Sequence, residues 1–234
     1  MTTRHTISRA NQLYSQGAYY PPYNALPGII LTPLNYFLFG VIAAAAANAM
    51  ALTQASAGST NALNLNGALA TAGVATIPTP RNVVAAWTGT AIATVTGTDY
   101  YGVPQTEVSA SGTSFTGKKG FSTITSVTFS AAVTAATVGT GVKIALPFRV
   151  DANGLLDVIC NNLPDATYTF VPADTTSPAT SSTGDVRGTV AFTTAPNGTS
   201  NGYAINFSIS DRTGGPPDAG TNFNKTGAFG VTPA

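Results

Sequence analysis

Charge is the scarcest feature of this sequence. Only 8% of its 234 residues are charged, against about 25% in ordinary globular proteins. Threonine, serine, alanine, glycine and asparagine fill the positions that charged residues usually take. These small side chains lose little conformational entropy when they are ordered, whereas a freely soluble monomer usually presents more charge. The composition therefore favours a surface that packs densely against neighbouring subunits.

Side chains capable of chemistry are also rare. The chain has one cysteine, Cys160, and one histidine, His5, so an internal disulfide cannot form. A Ser/His/Asp or Cys/His set is not expected, because the one histidine lies close to the N-terminus. Cys160 lies in an apolar run and is interpreted as a small buried hydrophobe. The net charge is +1, and no basic patch offers affinity for a phosphate backbone. We therefore predict no enzyme activity, no cofactor or metal, and no nucleic-acid partner.

Three groups of polar residues each allow a functional and a purely structural interpretation. Asp151-Ala152-Asn153-Gly154 followed by Asp157 is reminiscent of a calcium loop but lacks the remaining ligands, and a hairpin turn explains it better. Asp99 and Glu107 are a glycosidase-like carboxylate pair in residue type, although Asp99 also suits the opening of a turn. Lys118-Lys119 lacks the strand-to-helix context of a phosphate loop and is interpreted as a solvated turn or a subunit contact.

A long segment without any charge runs from Arg9 to Arg81. Its first part, Tyr14 to Pro33, is rich in tyrosine, proline and glycine, and proline favours an extended chain. Aromatic side chains on an extended arm need a partner surface to cover them. We therefore predict that residues 1–80 form an arm that contacts other subunits. Its candidate subunit or capsid interface residues are Tyr14, Tyr19, Tyr20, Tyr23, Phe37 and Phe39.

The stretch from Tyr36 to Leu52 contains an aromatic run followed by five alanines. Alanine is the strongest helix former. The stretch is too short, too rich in alanine and too poor in flanking basic residues for a membrane span, so we predict no membrane partner. A short buried helix and a strand against a neighbour both remain open for this stretch.

From Arg81 onward, apolar and polar residues alternate as half-buried strands require. The clearest strand is Phe121–Phe129, and segments 92–98 and 105–110 flank a turn at Asp99 as a hairpin would. Further strands are predicted at 82–87, 142–146 after a Gly139/Gly141 turn, 155–160, 168–171, 186–192 and 203–210. Asp185 and Arg187, two residues apart, are expected on one face of a strand as an ion pair.

The even spacing of these segments is typical of an all-β fold, an antiparallel β-sandwich of jelly-roll-like form. We assign residues 81–212 to this body. Residues 213–234, rich in glycine and proline, are assigned to an extended C-terminal tail.

A string of motifs between Pro80 and Pro147 resembles a domain of tailed-phage virion structural proteins of the head-decoration or cement type. Its pieces are Pro80-Arg81-Asn82, Thr94-Val95-Thr96-Gly97-Thr98-Asp99-Tyr100-Tyr101-Gly102, Glu107, Thr116-Gly117-Lys118-Lys119-Gly120-Phe121, Thr125-Ser126-Val127-Thr128 and Ile144-Ala145-Leu146-Pro147. The run Gly184-Asp185-Val186-Arg187-Gly188-Thr189 resembles another recurrent piece of these proteins. The family pattern has alanine where this chain has Gly120, and residues 1–80 lie outside the resemblance.

The resemblance implies a structural protein on the outer capsid surface of the virion, and no catalytic residues come with it. The expected partners are the major capsid protein and further copies of the chain, as a dimer or trimer. The alternative is a receptor- or glycan-binding head or tail fibre protein, which needs an exposed aromatic pocket at a loop tip such as Tyr100-Tyr101.

Overall fold

Strands make up all of the regular structure in the part of the chain that the computed structural model describes, which contains no helix. The described residues are 35–58, 61–150, 152, 154–174, 180–181, 183–199, 202–207 and 232–233. Their strands are β1 (Asn35–Gly40), β2 (Ala51–Ser56), β3 (Ala70–Thr71), β4 (Val74–Ala91), β5 (Ala93–Thr98), β6 (Pro104–Val108), β7 (Gly112–Thr116), β8 (Phe121–Phe129), β9 (Val133–Ala145), β10 (Leu155–Cys160), β11 (Leu163–Pro164), β12 (Thr169–Val171), β13 (Thr180–Ser181), β14 (Thr189–Ala191), β15 (Tyr203–Phe207) and β16 (Thr232–Pro233).

Two antiparallel sheets pack as a sandwich-like body. The larger sheet has ten strands, with the order β12-β14-β9-β4-β8-β5-β6 and with β2, β3 and β7 attached beside this path. The smaller sheet has the order β1-β15-β10-β11. A separate parallel pair joins β13 to β16. The prediction of an all-β antiparallel sandwich is therefore confirmed.

The core is divided into two apolar clusters. Core 1 lies under the long strands of the larger sheet, where Trp87 and Phe129 meet edge to face with their ring centroids 4.9 Å apart. Core 2 lies against the smaller sheet and includes Val190, Tyr203 and Phe207. Strand β8 shows why the alternation predicts burial, because its apolar residues are buried while most of the intervening polar residues are partly exposed.

The alanine-rich stretch does not form a helix. It begins as β1, passes through an irregular segment and continues into β2. The backbone of Ala46 is held by β9, because Ala46 N–H donates to Thr140 Oγ1 at 3.1 Å and Ala46 C=O accepts from Thr140 N–H at 2.9 Å. Close approach is possible because Gly139 lacks a Cβ that would collide with the Ala46 carbonyl. Tertiary hydrogen bonds therefore override the helix propensity of alanine.

The predicted boundary at residue 80 differs from the structure. Strand β1 pairs with β15 along Asn35–Gly40, β2 pairs with β9, and the first half of β4 pairs with β8. Residues 35–58 and 61–80 thus contribute to both sheets rather than to a separate arm. Residues 1–34 lie outside the described part of the chain, as does the predicted tail except for β16.

The predicted turn at Gly139 and Gly141 is wrong, because both glycines lie inside β9. Position 141 requires glycine for the same reason as position 139, because an added Cβ would collide with a neighbouring group, here the side-chain amide of Asn82. The glycines mark close approach of neighbouring chain segments rather than a change of direction.

Candidate functional site

The six predicted interface residues fall into two groups. Tyr14, Tyr19, Tyr20 and Tyr23 lie outside the described residues. Phe37 and Phe39 lie on β1 and pack half-buried against core 2. Their rings meet edge to face at 4.9 Å, and Phe37 also contacts Phe148 while Phe39 contacts Phe192. These two side chains therefore serve the body's own core, and a contact with another subunit stays a prediction for them.

A buried ion pair joins two distant parts of the body. Asp99 follows β5 and Arg187 precedes β14, and Arg187 Nη2 donates to Asp99 Oδ2 at 2.7 Å with both side chains fully buried. The other oxygen of Asp99 accepts from the backbone N–H groups of Tyr101 and Val103 at 2.9 and 2.8 Å. The same carboxylate thus closes the β5–β6 hairpin turn and holds the loop before β14.

Tyr101 extends this joint to the end of β9. The Arg187 guanidinium lies over the Tyr101 ring, 5.1 Å from its centroid. The Tyr101 hydroxyl donates to the carbonyl of Pro147 at 2.6 Å. The receptor-binding alternative needs an exposed aromatic pocket at Tyr100-Tyr101, whereas the Tyr101 side chain already contacts Arg187 and the Pro147 carbonyl of the body.

Asp185 and Gly120 form the second part of the cluster. Asp185 Oδ2 accepts from Gly120 N–H at 2.8 Å, and Oδ1 accepts from the backbone N–H groups of Arg187 and Gly188 at 2.8 and 3.2 Å. Asp185 and Arg187 are not on a strand, because β14 begins only at Thr189. The predicted same-face pair is thus corrected: the side chain of Arg187 ion-pairs with Asp99, while Asp185 binds backbone groups.

The third part lies on β6 and the loop before β8. Glu107 accepts from the backbone N–H groups of Lys118 and Lys119 at 2.6 and 3.2 Å. Lys119 is only 2% exposed, and its Nζ donates to the Thr106 carbonyl at 2.9 Å. Gln105 Nε2 donates to the Gly120 carbonyl at 2.7 Å. The interpretation of Lys118-Lys119 as a solvated turn therefore holds for Lys118 alone.

Burial dominates the electrostatics of this cluster. It raises the pKa of Asp185, against the opposing effects of the Arg187 charge and the backbone hydrogen bonds. It raises the pKa of Glu107 in the same way, against the hydrogen bonds from Lys118 and Lys119. It lowers the pKa of Lys119, against the nearby charges of Glu107 and Asp185. Each group thus keeps its position through specific partners while its charged form is disfavoured by desolvation.

The buried ionic cluster is built for joining chain segments. Its members are Asp99, Tyr101, Gln105, Glu107, Lys119, Gly120, Asp185 and Arg187. Asp99 and Glu107, considered above as a carboxylate pair, are each saturated by nearby donors, and neither lines the apolar cleft described next. The arrangement ties the β5–β6 hairpin, the start of β8 and the loop before β14 into one unit.

An apolar cleft lies between β4, β9 and the alanine-rich segment before β2. It encloses about 350 Å³ and is lined by Ala45, Ala46, Ala47, Asn82, Val84, Thr116, Thr140, Gly141, Val142 and Lys143. Asn82 fixes its floor, because its side chain donates to the Gly117 carbonyl at 3.0 Å and accepts from Lys143 N–H at 3.0 Å. Apart from Lys143, the lining side chains are neutral and mostly small, so the cleft fits an apolar side chain better than a charged ligand.

Within the described residues, no group of three or more acidic, histidine or cysteine side chains is placed to hold a metal ion. Asp151 and Asn153 of the calcium-like sequence lie outside them. Cys160 is buried in core 2, as predicted. No helix in this part of the chain has the length and apolarity that a membrane span requires.

Charge is nearly absent from the surface that the structure describes. The described residues include twelve charged side chains, of which six are buried: Arg81, Asp99, Glu107, Lys119, Asp185 and Arg187. Five are half-buried: Lys143, Arg149, Asp157, Asp165 and Asp174. Among these twelve only Lys118 is exposed. Half of the charged residues that the structure describes are therefore buried inside the body.

No protein-family model, curated protein or solved structure matches this chain.

Proposed function

We propose that this chain is a structural virion protein, a capsid decoration or cement protein that binds and stabilises the phage head shell through arm-mediated subunit contacts. Its partners are the major capsid protein and other copies of itself, and its place is the outer capsid surface. The motif resemblance between Pro80 and Pro147 supports a location on the phage head. The low exposed charge of the described surface supports a role in assembly.

The observation that carries the proposal is the near absence of exposed charge. A soluble monomer of this size usually keeps a quarter or more of its surface residues charged. Here six of the twelve described charged side chains are buried, five are half-buried and one, Lys118, is exposed. Large apolar side chains are exposed instead, including Tyr36 at 57% and Leu38 at 54%. Such a surface is suited to lasting contact with neighbours.

The buried ionic cluster supports the same function in another way. A cement protein must transmit force between capsomers without unfolding. Asp99 and Arg187, 88 residues apart in sequence, are linked by a side-chain contact that water does not reach. Removal of one partner from such a pair typically costs about 3–5 kcal/mol, so the loops joined by the pair resist separation.

Repetition adds to the affinity of each contact. A standard interface buries about 1,600 Å² in total, of which roughly 57% is apolar. At about 25 cal/mol per Å², this gives about 23 kcal/mol before costs. Lost translation and rotation cost about 4–15 kcal/mol, and the ordering of an extended arm adds to that cost. Attachment to several capsomers at once offsets these costs through avidity.

The proposal is tested by binding to shells. Purified head shells stripped of the protein are mixed with the full chain, with a variant lacking residues 1–34, and with a variant in which Tyr14, Tyr19, Tyr20 and Tyr23 are serine. The deletion leaves β1 intact, because β1 begins at Asn35. Full occupancy is expected for the full chain, and strongly reduced occupancy for both variants.

Cryo-electron microscopy of native particles provides the location. A regular array of this chain over the outer shell is expected. Unchanged occupancy by the arm-deleted variant would rule out the arm as the clamp. Density confined to a fibre tip, together with glycan binding by the isolated protein, would replace the proposal with the receptor-binding alternative.

A further inference from the structure

Strand β1 is the outermost strand of the smaller sheet. In the order β1-β15-β10-β11 it pairs with β15 through Asn35–Gly40, and no other strand of the described residues pairs with its second side. Its six residues include no charge and no proline. An edge of this kind presents unpaired backbone N–H and C=O groups, which are a template for pairing with another strand.

The other strands that end the two sheet orders are protected. Strand β6 begins with Pro104 and carries the Glu107 carboxylate. Strand β11 has two residues and ends in Pro164, while β12 has three residues and is followed by Pro172. Short length, proline and charge are the usual devices against edge-to-edge association. Strand β1 has six residues and neither proline nor charge, and its one irregularity is a register shift against β15 between Leu38 and Gly40.

Both faces of β1 carry incompletely covered apolar side chains. Tyr36 and Leu38 on the outer face are 57% and 54% exposed. Phe37 and Phe39 on the inner face are half-buried on core 2. Core 2 has six such partly buried hydrophobic residues, whereas core 1 has only Ala70. A strand added beside β1 would cover side chains on both faces together.

We propose that β1 pairs with β1 of a second copy of this chain, antiparallel across a two-fold axis, so that two four-stranded sheets become one of eight strands. A second copy fits because an uncharged strand does not repel its own copy, while it offers no charge for a different partner to complement. The inference rests on the proposed function for its place in an assembly, since it names the self-contact of that protein, but the pairing itself is a property of β1.

The side chains select a register. A two-fold axis perpendicular to the sheet places residues of the same face opposite each other. With Leu38 opposite Leu38, Phe37 lies opposite Phe39, and Tyr36 lies opposite Gly40, where the register of β1 with β15 shifts. Gly40 leaves the extended conformation at φ +75° and has no atom within 4 Å of the place of a Cβ, so there is room for the Tyr36 ring beside it.

The contact is small, and this sets its strength. A six-residue strand is about 20 Å long, so pairing along it buries less than the roughly 1,600 Å² of a standard interface. The isolated dimer is therefore expected to be weak, as small transient interfaces are. Repetition in an assembly strengthens such a contact.

Cysteine cross-linking tests the register on the full chain. Leu38→Cys places two thiols across the proposed axis, and Val108→Cys is the matched control because Val108 is 60% exposed on the protected strand β6. The wild type is a second control, since its Cys160 is buried. Mild oxidation is expected to give a disulfide-linked dimer for Leu38→Cys only. Equal cross-linking of both variants, or none in Leu38→Cys, would overturn the proposal.

Sedimentation equilibrium tests the self-association without a cross-link. Leu38→Lys puts like charges opposite each other and is expected to weaken dimerisation about tenfold or more, whereas Val108→Lys leaves it unchanged. Both sites are exposed, so circular dichroism should show the same fold in both variants. Undiminished association of Leu38→Lys, or a trimer, would refute the β1 pairing. Dimerisation without binding to shells would instead leave the pairing intact and refute the cement function.

Discussion

The ion pair of Asp99 and Arg187 gives the sharpest test of the buried ionic cluster. Asp99→Asn keeps the side-chain oxygen that accepts from the turn N–H groups of Tyr101 and Val103. It removes the negative charge that faces Arg187 at 2.7 Å, with both side chains fully buried. The variant therefore isolates the charge from the turn, and Arg187 stays in a site that water does not reach.

The expected loss is large. Removing one partner of a buried pair typically costs about 3–5 kcal/mol, because the other charge is left uncompensated. For a chain of this size, this corresponds to a fall in Tm of roughly 10 °C. Asp157→Asn is the matched control, since Asp157 is half-buried and an ordinary surface substitution changes stability by about 0.5 kcal/mol or less. Urea unfolding followed by tryptophan fluorescence reports the free energy, because Trp87 is buried in core 1.

A double-mutant cycle provides the refutation. Arg187→Met alone should cost about as much as Asp99→Asn, and the double variant should cost clearly less than the sum of the two. If Asp99→Asn costs under about 1 kcal/mol, as exposed pairs do, or if the two losses simply add, the ion pair is not the joint described above.

Three further outcomes are expected. Burial raises the pKa of Glu107 above its ordinary value of 4.5, so its contribution to stability is present below about pH 4.5 and is lost as the pH rises through the folded-state pKa. In urea titrations between pH 4 and 8, the unfolding free energy of the wild type relative to Glu107→Gln should therefore fall with rising pH. A difference that does not change with pH would contradict this. Gly120→Ala should lower the free energy of unfolding by about 1–3 kcal/mol, because its Cβ would collide with that of Ala145. The double variant with Ala145→Gly should recover most of this loss in thermal melts, and equal stability of the single and double variants would argue against the collision. Tyr101→Phe removes the hydrogen bond to the Pro147 carbonyl and should cost about 0.5–1.5 kcal/mol by urea unfolding, a cost that should disappear if the hydroxyl is bound to water instead.

The collision at Gly120 gives a physical reason for glycine at this position. Ala145 fills the space that an alanine side chain at position 120 would take. Gly120 is further held by Asp185 at its N–H and by Gln105 at its carbonyl. The motif pieces thus meet in space as one joint, which gives the string of residues a structural rather than a chemical reason.

Much of the strand content could be predicted from the sequence. Strands β8 and β10 have the predicted bounds, and β5 and β6 form the predicted hairpin. These segments are local, since alternation and a turn-forming Asp99 are visible within a few residues. The prediction of a turn is wrong at Gly139, and the sequence of the alanine run leaves helix and strand open, because contacts between distant segments decide the backbone at both places.

The buried ionic cluster could not be predicted, although its residues drew attention one by one. The sequence indicates Asp99 as a turn residue and Arg187 as part of a local pair, but it does not indicate the link between them. The nearest signal is that both residues lie in the motif string described above. A motif string indicates that residues matter but not which of them touch.

Alternation and composition predict a β-sandwich with little charge, because they act at short range and indicate which residues face the core. They do not indicate where the few charges go, that residues 35–58 and 61–80 belong to the sheets, or that β1 is an edge strand among the described residues. The reason is physical: burial, ion pairing and edge exposure depend on which segments become neighbours, and that is set by the packing of the whole chain.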